Sequence, residues 1–139
     1  MPTKIVTMLA VVVLMFAART SAHHAFAAEF DANKPIKLRG TVVKMEWINP
    51  HTWIHLDVKT PKGVERWMIE GGPPNALYRR GVTKDSLPNG VEILVEGFRA
   101  KDGSLKGNGR DLTFADGRRL FVGSSGTGAP RDGRDKTEK

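Results

Sequence analysis

The chain has 139 residues, of which 40% are hydrophobic and 27% are charged, and it contains no cysteine. This length predicts about one domain, and the balance of apolar and charged residues is that of a globular protein rather than a disordered one. The lack of cysteine excludes disulfides, thiolate metal ligands and cysteine nucleophiles. The formal charge of +7 raises the question of nucleic-acid binding.

The start of the chain has the three-part layout of a secretory signal peptide. Lys4 provides the positive charge, residues 5–18 are almost uniformly apolar, and small residues lead up to Ala22. The apolar stretch is shorter than the ~20 residues that a membrane-spanning helix needs. We therefore expect a periplasmic or secreted protein that is cut after Ala22 and has no membrane span afterwards. A cut after Ala27 is the alternative.

The composition divides the chain into four parts. We predict a signal peptide over 1–22, an N-terminal segment over 23–35, a β domain over 36–122 and a disordered tail over 123–139. The tail is rich in Gly, Ser, Lys, Arg and Asp, and such a composition buries too little apolar surface to fold.

Apolar residues alternate with a period of two from residue 36 onward, which indicates β-strands. The first three strands are predicted over 36–49, 51–60 and 64–70. Within the first strand, the apolar positions change parity beside Gly40, and we interpret this change as a β-bulge.

A short helix is predicted over 75–80 and ended by Gly81. Further strands are predicted over 91–100, 110–114 and 120–122. Three strands, a short helix and two or three more strands are the element order of an OB-like protein. We therefore predict an all-β fold: a small OB-like antiparallel β-barrel of five to six strands, with one short helix between strands 3 and 4. An unrelated antiparallel barrel or a half-open sandwich is the alternative.

Histidine is the strongest candidate metal ligand in this cysteine-free chain. A cut after Ala22 makes His23 the new N-terminus, followed directly by His24. An N-terminal histidine offers its amine and its imidazole to one ion, and such nitrogen ligands suit Cu(II). We therefore consider a copper or zinc site formed by His23 and His24, with His51 completing it if the N-terminus folds back. The alternative is that these histidines are solvated and bind nothing.

The second strand places four residues on its polar side, namely His51, Trp53, His55 and Asp57. His51 and His55 are separated by roughly 13 Å along a strand, so we do not expect them to share one ion. An exposed tryptophan flanked by histidines suits a binding surface. The alternative is that the helix or the N-terminal segment covers Trp53. Our first functional hypothesis is a non-enzymatic binding module for a small ligand or an envelope protein.

Arg79 and Arg80 stand at the end of the predicted helix, where cations complement the helix dipole. They could instead bind an anion, and an enzyme acting on a small anionic substrate is the third hypothesis. The sequence contains no recognisable nucleophile, phosphate-loop, dinucleotide or zinc-protease motif. We therefore expect no enzymatic activity.

Nucleic-acid binding is not expected despite the net charge. Removal of the signal peptide takes away Lys4 and Arg19 and no acidic residue. The basic residues of the tail alternate with acidic ones, and aromatic residues make up only 7% of the chain, which is low for a base-stacking surface.

Several motifs resemble those of an uncharacterised bacterial family of small exported proteins. They are HHAFAAEFD at 23–31, NPHTW at 49–53 and PNALYRRG at 74–81. The resemblance covers roughly residues 22–126. It implies an exported, β-rich single domain with no assigned activity, and it favours His51 over His55 as a ligand.

Overall fold

The computed structural model describes residues 25–124, 128–130 and 133. Within these residues the chain forms short helices and strands in the following order: α1 (Ala25–Glu29), β1 (Phe30–Glu46), β2 (Trp53–Thr60), β3 (Gly63–Glu70), α2 (Pro74–Arg79), β4 (Glu92–Ala100), β5 (Lys106–Phe114) and β6 (Arg119–Phe121). The predicted helix between the third and fourth strands is confirmed.

Five of the strands form a closed ring. β1 pairs with β2 and β4, β2 pairs with β3, and β4 pairs with β5, all in antiparallel orientation. A short parallel pairing between β3 and β5 closes the ring, and β6 adds to the edge of β5. The predicted all-β, OB-like class is confirmed by this pairing and by the position of α2.

The first strand differs from the prediction in two ways. It begins at Phe30 instead of residue 36, because its first part pairs with β4. The register irregularity against β2 lies between Val42 and Lys44, so the bulge predicted beside Gly40 is wrongly placed. Gly40 has another role: a Cβ there would lie 2.6 Å from the carbonyl oxygen of Asp57, so glycine allows β1 and β2 to approach closely.

The main core fills the interior of the ring. Its fully buried side chains come from every strand of the ring and from α2: Val42, Ile54, Leu56, Ile69, Leu77, Ile93, Val95 and Leu112. The alternation of β2 is as predicted: Ile54, Leu56 and Val58 are buried, whereas His55 and Asp57 between them are half-buried. Trp67 is a core residue, and Trp47 packs against the core from its edge.

A second, smaller cluster lies at the N-terminal end of the described chain. Its members are Phe26, Phe30, Phe98, Ala100 and Ala129. The rings of Phe26 and Phe98 meet edge to face with their centroids 5.6 Å apart. The backbone N–H of Lys101 donates a hydrogen bond of 2.8 Å to the carbonyl of Glu29. The predicted N-terminal segment therefore contains α1 and the start of β1, both attached to the ring.

The folded part of the chain extends past the predicted boundary at residue 122. Gly123 and Ser124 are buried, and Ala129 belongs to the second cluster. The guanidinium of Arg110 donates a hydrogen bond of 2.8 Å to the carbonyl of Pro130. Residues 125–127, 131–132 and 134–139 of the predicted disordered tail lie outside the described residues.

Gly97→Ala is expected to lower the free energy of unfolding by about 3 kcal/mol, the upper end of typical overpacking costs. A Cβ at Gly97 would lie 2.0 Å from the carbonyl oxygen of Asn108, so the backbone of β4 or β5 would have to move. Urea denaturation measures the effect. Gly103→Asn is the control, because this exposed turn residue has a φ of 78°, which asparagine tolerates. Equal losses in the two variants would contradict the close-approach argument.

Candidate functional site

The outer surface of β1, β2, β3 and β5 carries two cross-strand rows of side chains, which we call the four-strand face. The first row consists of Glu46, Trp53, Glu70 and Asn108. The second row consists of Lys44, His55, Met68 and Lys106. Residues paired directly across neighbouring strands point to the same side of a sheet. The two rows are therefore adjacent on one surface, opposite the buried Ile54 and Ile69.

His51 reaches this face from the loop before β2. Its Nδ1 lies 3.5 Å from Oε1 of Glu70, and its side chain is 20% exposed. Burial lowers the pKa of His51, while the backbone of Gly71 acts in the opposite direction. Nδ1 is buried and has no hydrogen-bond partner among the described residues. The structure thus places a buried ring nitrogen of His51 next to the carboxyl group of Glu70.

Glu70 is the most unusual ionisable group of the face, because its side chain is only 7% exposed. Burial raises its pKa to about 7, and the charge of Glu29 acts in the same direction. The side-chain amide of Asn108 donates a hydrogen bond of 3.4 Å to Oε1 of Glu70, which opposes the rise. A buried carboxyl group with a strongly shifted pKa is a typical feature of functional sites.

The first helix brings a second carboxylate to the same place. Glu29 accepts a hydrogen bond of 2.5 Å from Nζ of Lys106. Its charge opposes the lowering of the His51 pKa and adds to the rise of the Glu70 pKa. We call Glu29, His51, Glu70, Lys106 and Asn108 the acid–histidine cluster. Of these five residues only His51 was predicted from the sequence, since the burial of Glu70 depends on residues far away in the chain.

His55 belongs to a different network on the same face. Its Nε2 lies 3.2 Å from Oε2 of Glu46, whose Oε1 accepts a hydrogen bond of 2.6 Å from Lys44. The Lys44 hydrogen bond and then the His55 hydrogen bond lower the pKa of Glu46. His51 and His55 therefore have different partners. Trp53 lies half-buried beside Glu46 and Glu70 in the first row and belongs to neither apolar cluster.

The two arginines at the end of α2 have different surroundings. Arg79 is exposed in the last turn of the helix. Arg80 donates a hydrogen bond of 2.6 Å to the carbonyl of Gly123, and its guanidinium lies 5.1 Å from the ring centroid of Phe121. Arg80 thus holds the segment that follows β6, a packing role that the sequence argument did not anticipate.

The proposed N-terminal ligands His23 and His24 lie outside the described residues. Within 25–124, 128–130 and 133, no group of three or more His, Asp or Glu side chains is arranged to hold a metal ion. In the same part of the chain, no helix is long and apolar enough to cross a membrane.

A groove of about 430 Å³ lies on another side of the molecule, between β1, β4, β5 and β6. Glu96 on its wall lies 3.4 Å from Nζ of Lys37 and 3.8 Å from a guanidinium nitrogen of Arg119. The same arginine lies 3.8 Å from Asp111. These acidic and basic side chains pair with one another across the strands, so their charges are balanced within the groove. The acid–histidine cluster, with its unused nitrogen, is the stronger candidate site.

These features define a small all-β, OB-like protein with a buried polar cluster on one sheet face. A family model described as a family of unknown function (DUF6152) matches residues 10–110. The chain belongs to this family, and the resemblance inferred from its motifs is confirmed at that level. The comparisons with curated proteins and with solved structures gave no significant match.

Proposed function

We propose that the protein is an exported, non-enzymatic binding module that holds a small ligand or an envelope protein at the four-strand face. The observation that carries this proposal is the burial of the Glu70 carboxyl group within the first row of this face. Burying an ionisable group costs free energy unless it is well paired. Among the residues that the structure describes, the contacts of the Glu70 carboxyl group to His51 and Asn108 are long, so a bound partner would complete its environment.

Export is part of the proposal, and the second cluster supports a cut after Ala22 over a cut after Ala27. Phe26 is 4% exposed and packs against Phe30 and Phe98. A cut after Ala27 would remove this ring from the folded protein. We expect the intact mass of the exported protein to correspond to a chain that begins at His23. A mature chain that begins at Ala28 would contradict this expectation.

The enzyme hypothesis, with Arg79 and Arg80 binding an anionic substrate, receives less support. The guanidinium of Arg80 is already hydrogen-bonded to Gly123 and stacked on Phe121. Binding an anion there would disturb the contacts that hold the segment after β6.

The binding proposal can be tested by nuclear magnetic resonance with defined probes from three classes: monosaccharides, amino acids and dicarboxylates. We expect at least one class to shift the indole resonance of Trp53, because this ring lies beside Glu70 in the first row. Glu70→Gln should weaken that binding, whereas Arg119→Ala, in the groove, should leave it unchanged. Shifts confined to the groove, or no shift at the face with any probe, would contradict the proposal.

A further inference from the structure

We propose that the acid–histidine cluster binds the primary ammonium group of a small organic ligand, with the carboxylate of Glu70 and Oδ1 of Asn108 as acceptors and the ring of Trp53 beside them. The inference rests on the proposed function, because it names the chemical class of ligand for the same face. Three observations carry it: a buried amide oxygen without a donor, a buried carboxylate without a basic partner, and an aromatic ring in the same row.

The buried amide oxygen of Asn108 is the first observation. Asn108 is 3% exposed, and its Nδ2 donates a hydrogen bond of 3.4 Å to Oε1 of Glu70. Its Oδ1 is buried and has no hydrogen-bond partner among the described residues. Because Nδ2 and Oδ1 belong to one amide group, Oδ1 lies close to the Glu70 carboxylate. A buried acceptor without a donor costs free energy, so this place favours a ligand that brings N–H or O–H groups.

The carboxylate of Glu70 is the second observation. Within the part of the chain that the structure describes, it has no lysine or arginine at ion-pair distance, and its neighbour is Nδ1 of His51 at 3.5 Å. Lys106 pairs with Glu29 instead, at 2.5 Å. The two carboxylates and the one ammonium group of the cluster thus leave one negative charge, which a singly charged cation would neutralise. Buried charges are stable when they are paired.

A primary ammonium group suits both acceptors at once. It has three N–H donors and one positive charge, so it can donate to the Glu70 carboxylate and to Oδ1 of Asn108 together. Hydrogen bonds between ionised groups are also stronger than those between neutral groups. A hydroxyl group has one donor and no charge, and a carboxylate has no donor at all. Sugars and dicarboxylates therefore match this site less well than an amine does.

The ring of Trp53 is the third observation. Trp53 is paired directly with Glu70 across β2 and β3, and such pairs have their Cβ atoms ~4.5–5.5 Å apart. A cation beside Glu70 is therefore within reach of the indole ring, and a tryptophan ring attracts a cation within about 6 Å of its centroid. The ring of Trp67, by contrast, already has the guanidinium of Arg99 at 5.4 Å.

The two acceptors lie below a partly exposed rim. The side chains of the other cluster members are exposed by 20% for His51, 30% for Lys106 and 42% for Glu29, whereas Glu70 and Asn108 are buried. A small ammonium group can approach between the rim side chains, but a broad protein surface would rest on the rim. We therefore assign a small molecule, and not a partner protein, to this site.

The test compares n-butylamine with 1-butanol, which carries a hydroxyl group in place of the ammonium group. Each is titrated into the exported protein in phosphate buffer at about pH 8, where an alkylamine is still protonated. The indole resonance of Trp53 reports binding by nuclear magnetic resonance. We expect butylammonium to bind at least about 10-fold more tightly than butanol, because its hydrogen bonds involve charged groups. Tetramethylammonium should also bind more weakly than butylammonium, since it has no N–H donor.

Glu70→Gln should weaken butylammonium binding by about 10-fold or more and leave butanol binding nearly unchanged. Glu96→Gln is the matched control, because it makes the same chemical change in the groove, where Glu96 already pairs with Lys37 at 3.4 Å. It should bind butylammonium like the wild type, and circular dichroism would verify that both variants are folded. Equal binding of the amine and the alcohol by the wild type would overturn the inference. Amine binding that depends on Glu96 and not on Glu70 would overturn it as well.

The inference and the proposed function can fail separately. If butylammonium binds no better than butanol, but a monosaccharide or a dicarboxylate still shifts Trp53 in a manner that Glu70→Gln abolishes, the ammonium site is wrong and the binding face stands. If the binding of no probe depends on Glu70, both proposals are wrong.

Discussion

Phe26→Ala is expected to lower the free energy of unfolding by about 3 kcal/mol, the lower end of the range for removing a buried phenylalanine. Phe26 is 4% exposed, and its ring lies 5.7 Å from that of Phe30 and 5.6 Å from that of Phe98. The lower end applies because α1 is short and can undock instead of leaving a rigid cavity. Urea denaturation, with the m-value checked, measures the loss.

Ala28→Ser is the matched control for this prediction. Ala28 is exposed on the same helix, so its substitution should change stability by no more than about 0.5 kcal/mol. If Phe26→Ala were as mild as the control, α1 would contribute nothing to the fold. The structural argument for cleavage before residue 25 would then fail as well.

Glu70→Gln is expected to remove a loss of stability that the wild-type protein shows as the pH rises from about 5 to about 8. Glu70 has an ordinary pKa of 4.5 when unfolded and a pKa of about 7 when folded. The folded state therefore binds the carboxyl proton of Glu70 more tightly than the unfolded state does. The stability that neutral Glu70 contributes is fully present below pH 4.5 and is lost as the pH rises through 7. The total is on the order of 3 kcal/mol.

The measurement compares urea denaturation of the wild type and of Glu70→Gln at pH 5 and pH 8 in the presence of EDTA. The advantage of the variant should be larger at pH 8 by up to about 3 kcal/mol. The lowered pKa of His51 acts in the opposite direction, because neutral His51 adds stability as the pH rises. The contribution of His51 cancels when the stabilities of the two proteins are subtracted, as long as His51 titrates alike in both.

Glu92→Gln is the control for the pH experiment. Glu92 is 57% exposed and forms a surface ion pair with Arg39 at 3.4 Å, and such pairs contribute about 1 kcal/mol or less. Its effect on stability should be nearly the same at both pH values. If Glu70→Gln behaved in the same way, Glu70 would ionise normally in the folded protein, and the observation behind the proposed function would be lost.

The second cluster links the predictions for Phe26→Ala and Glu70→Gln. It attaches α1 to the end of β4, and α1 in turn places Glu29 beside Lys106 and near Glu70. Undocking of α1 would remove the charge of Glu29 from the site. Phe26→Ala should therefore also reduce the pH dependence attributed to Glu70, since its pKa is raised in part by Glu29.

Local signals in the sequence predicted much of the fold. The alternation of Ile54, Leu56 and Val58 predicted which side of β2 is buried, because successive side chains of a strand point in opposite directions. Gly81 predicted the end of α2 and has a φ of 82°, a conformation that glycine adopts easily. The parity change beside Gly40 was a real signal of a bulge in β1, which lies two residues further along the strand, between Val42 and Lys44.

Only part of the candidate site could be predicted from the sequence. His51 and Trp53 stood out through their spacing and residue type, whereas Glu70 resembled any polar residue at the end of a strand. Its burial requires the parallel pairing that brings β5 and Asn108 alongside β3.

By itself, the sequence determined the strands, their inward faces, the turns and the family, because these depend on neighbouring residues and on motifs. Only the tertiary structure decided that Glu29, His51 and Glu70 meet, since ring closure and the docking of α1 join distant parts of the chain. The ionisation of Glu70 follows from that meeting, because burial and neighbouring charge set a pKa.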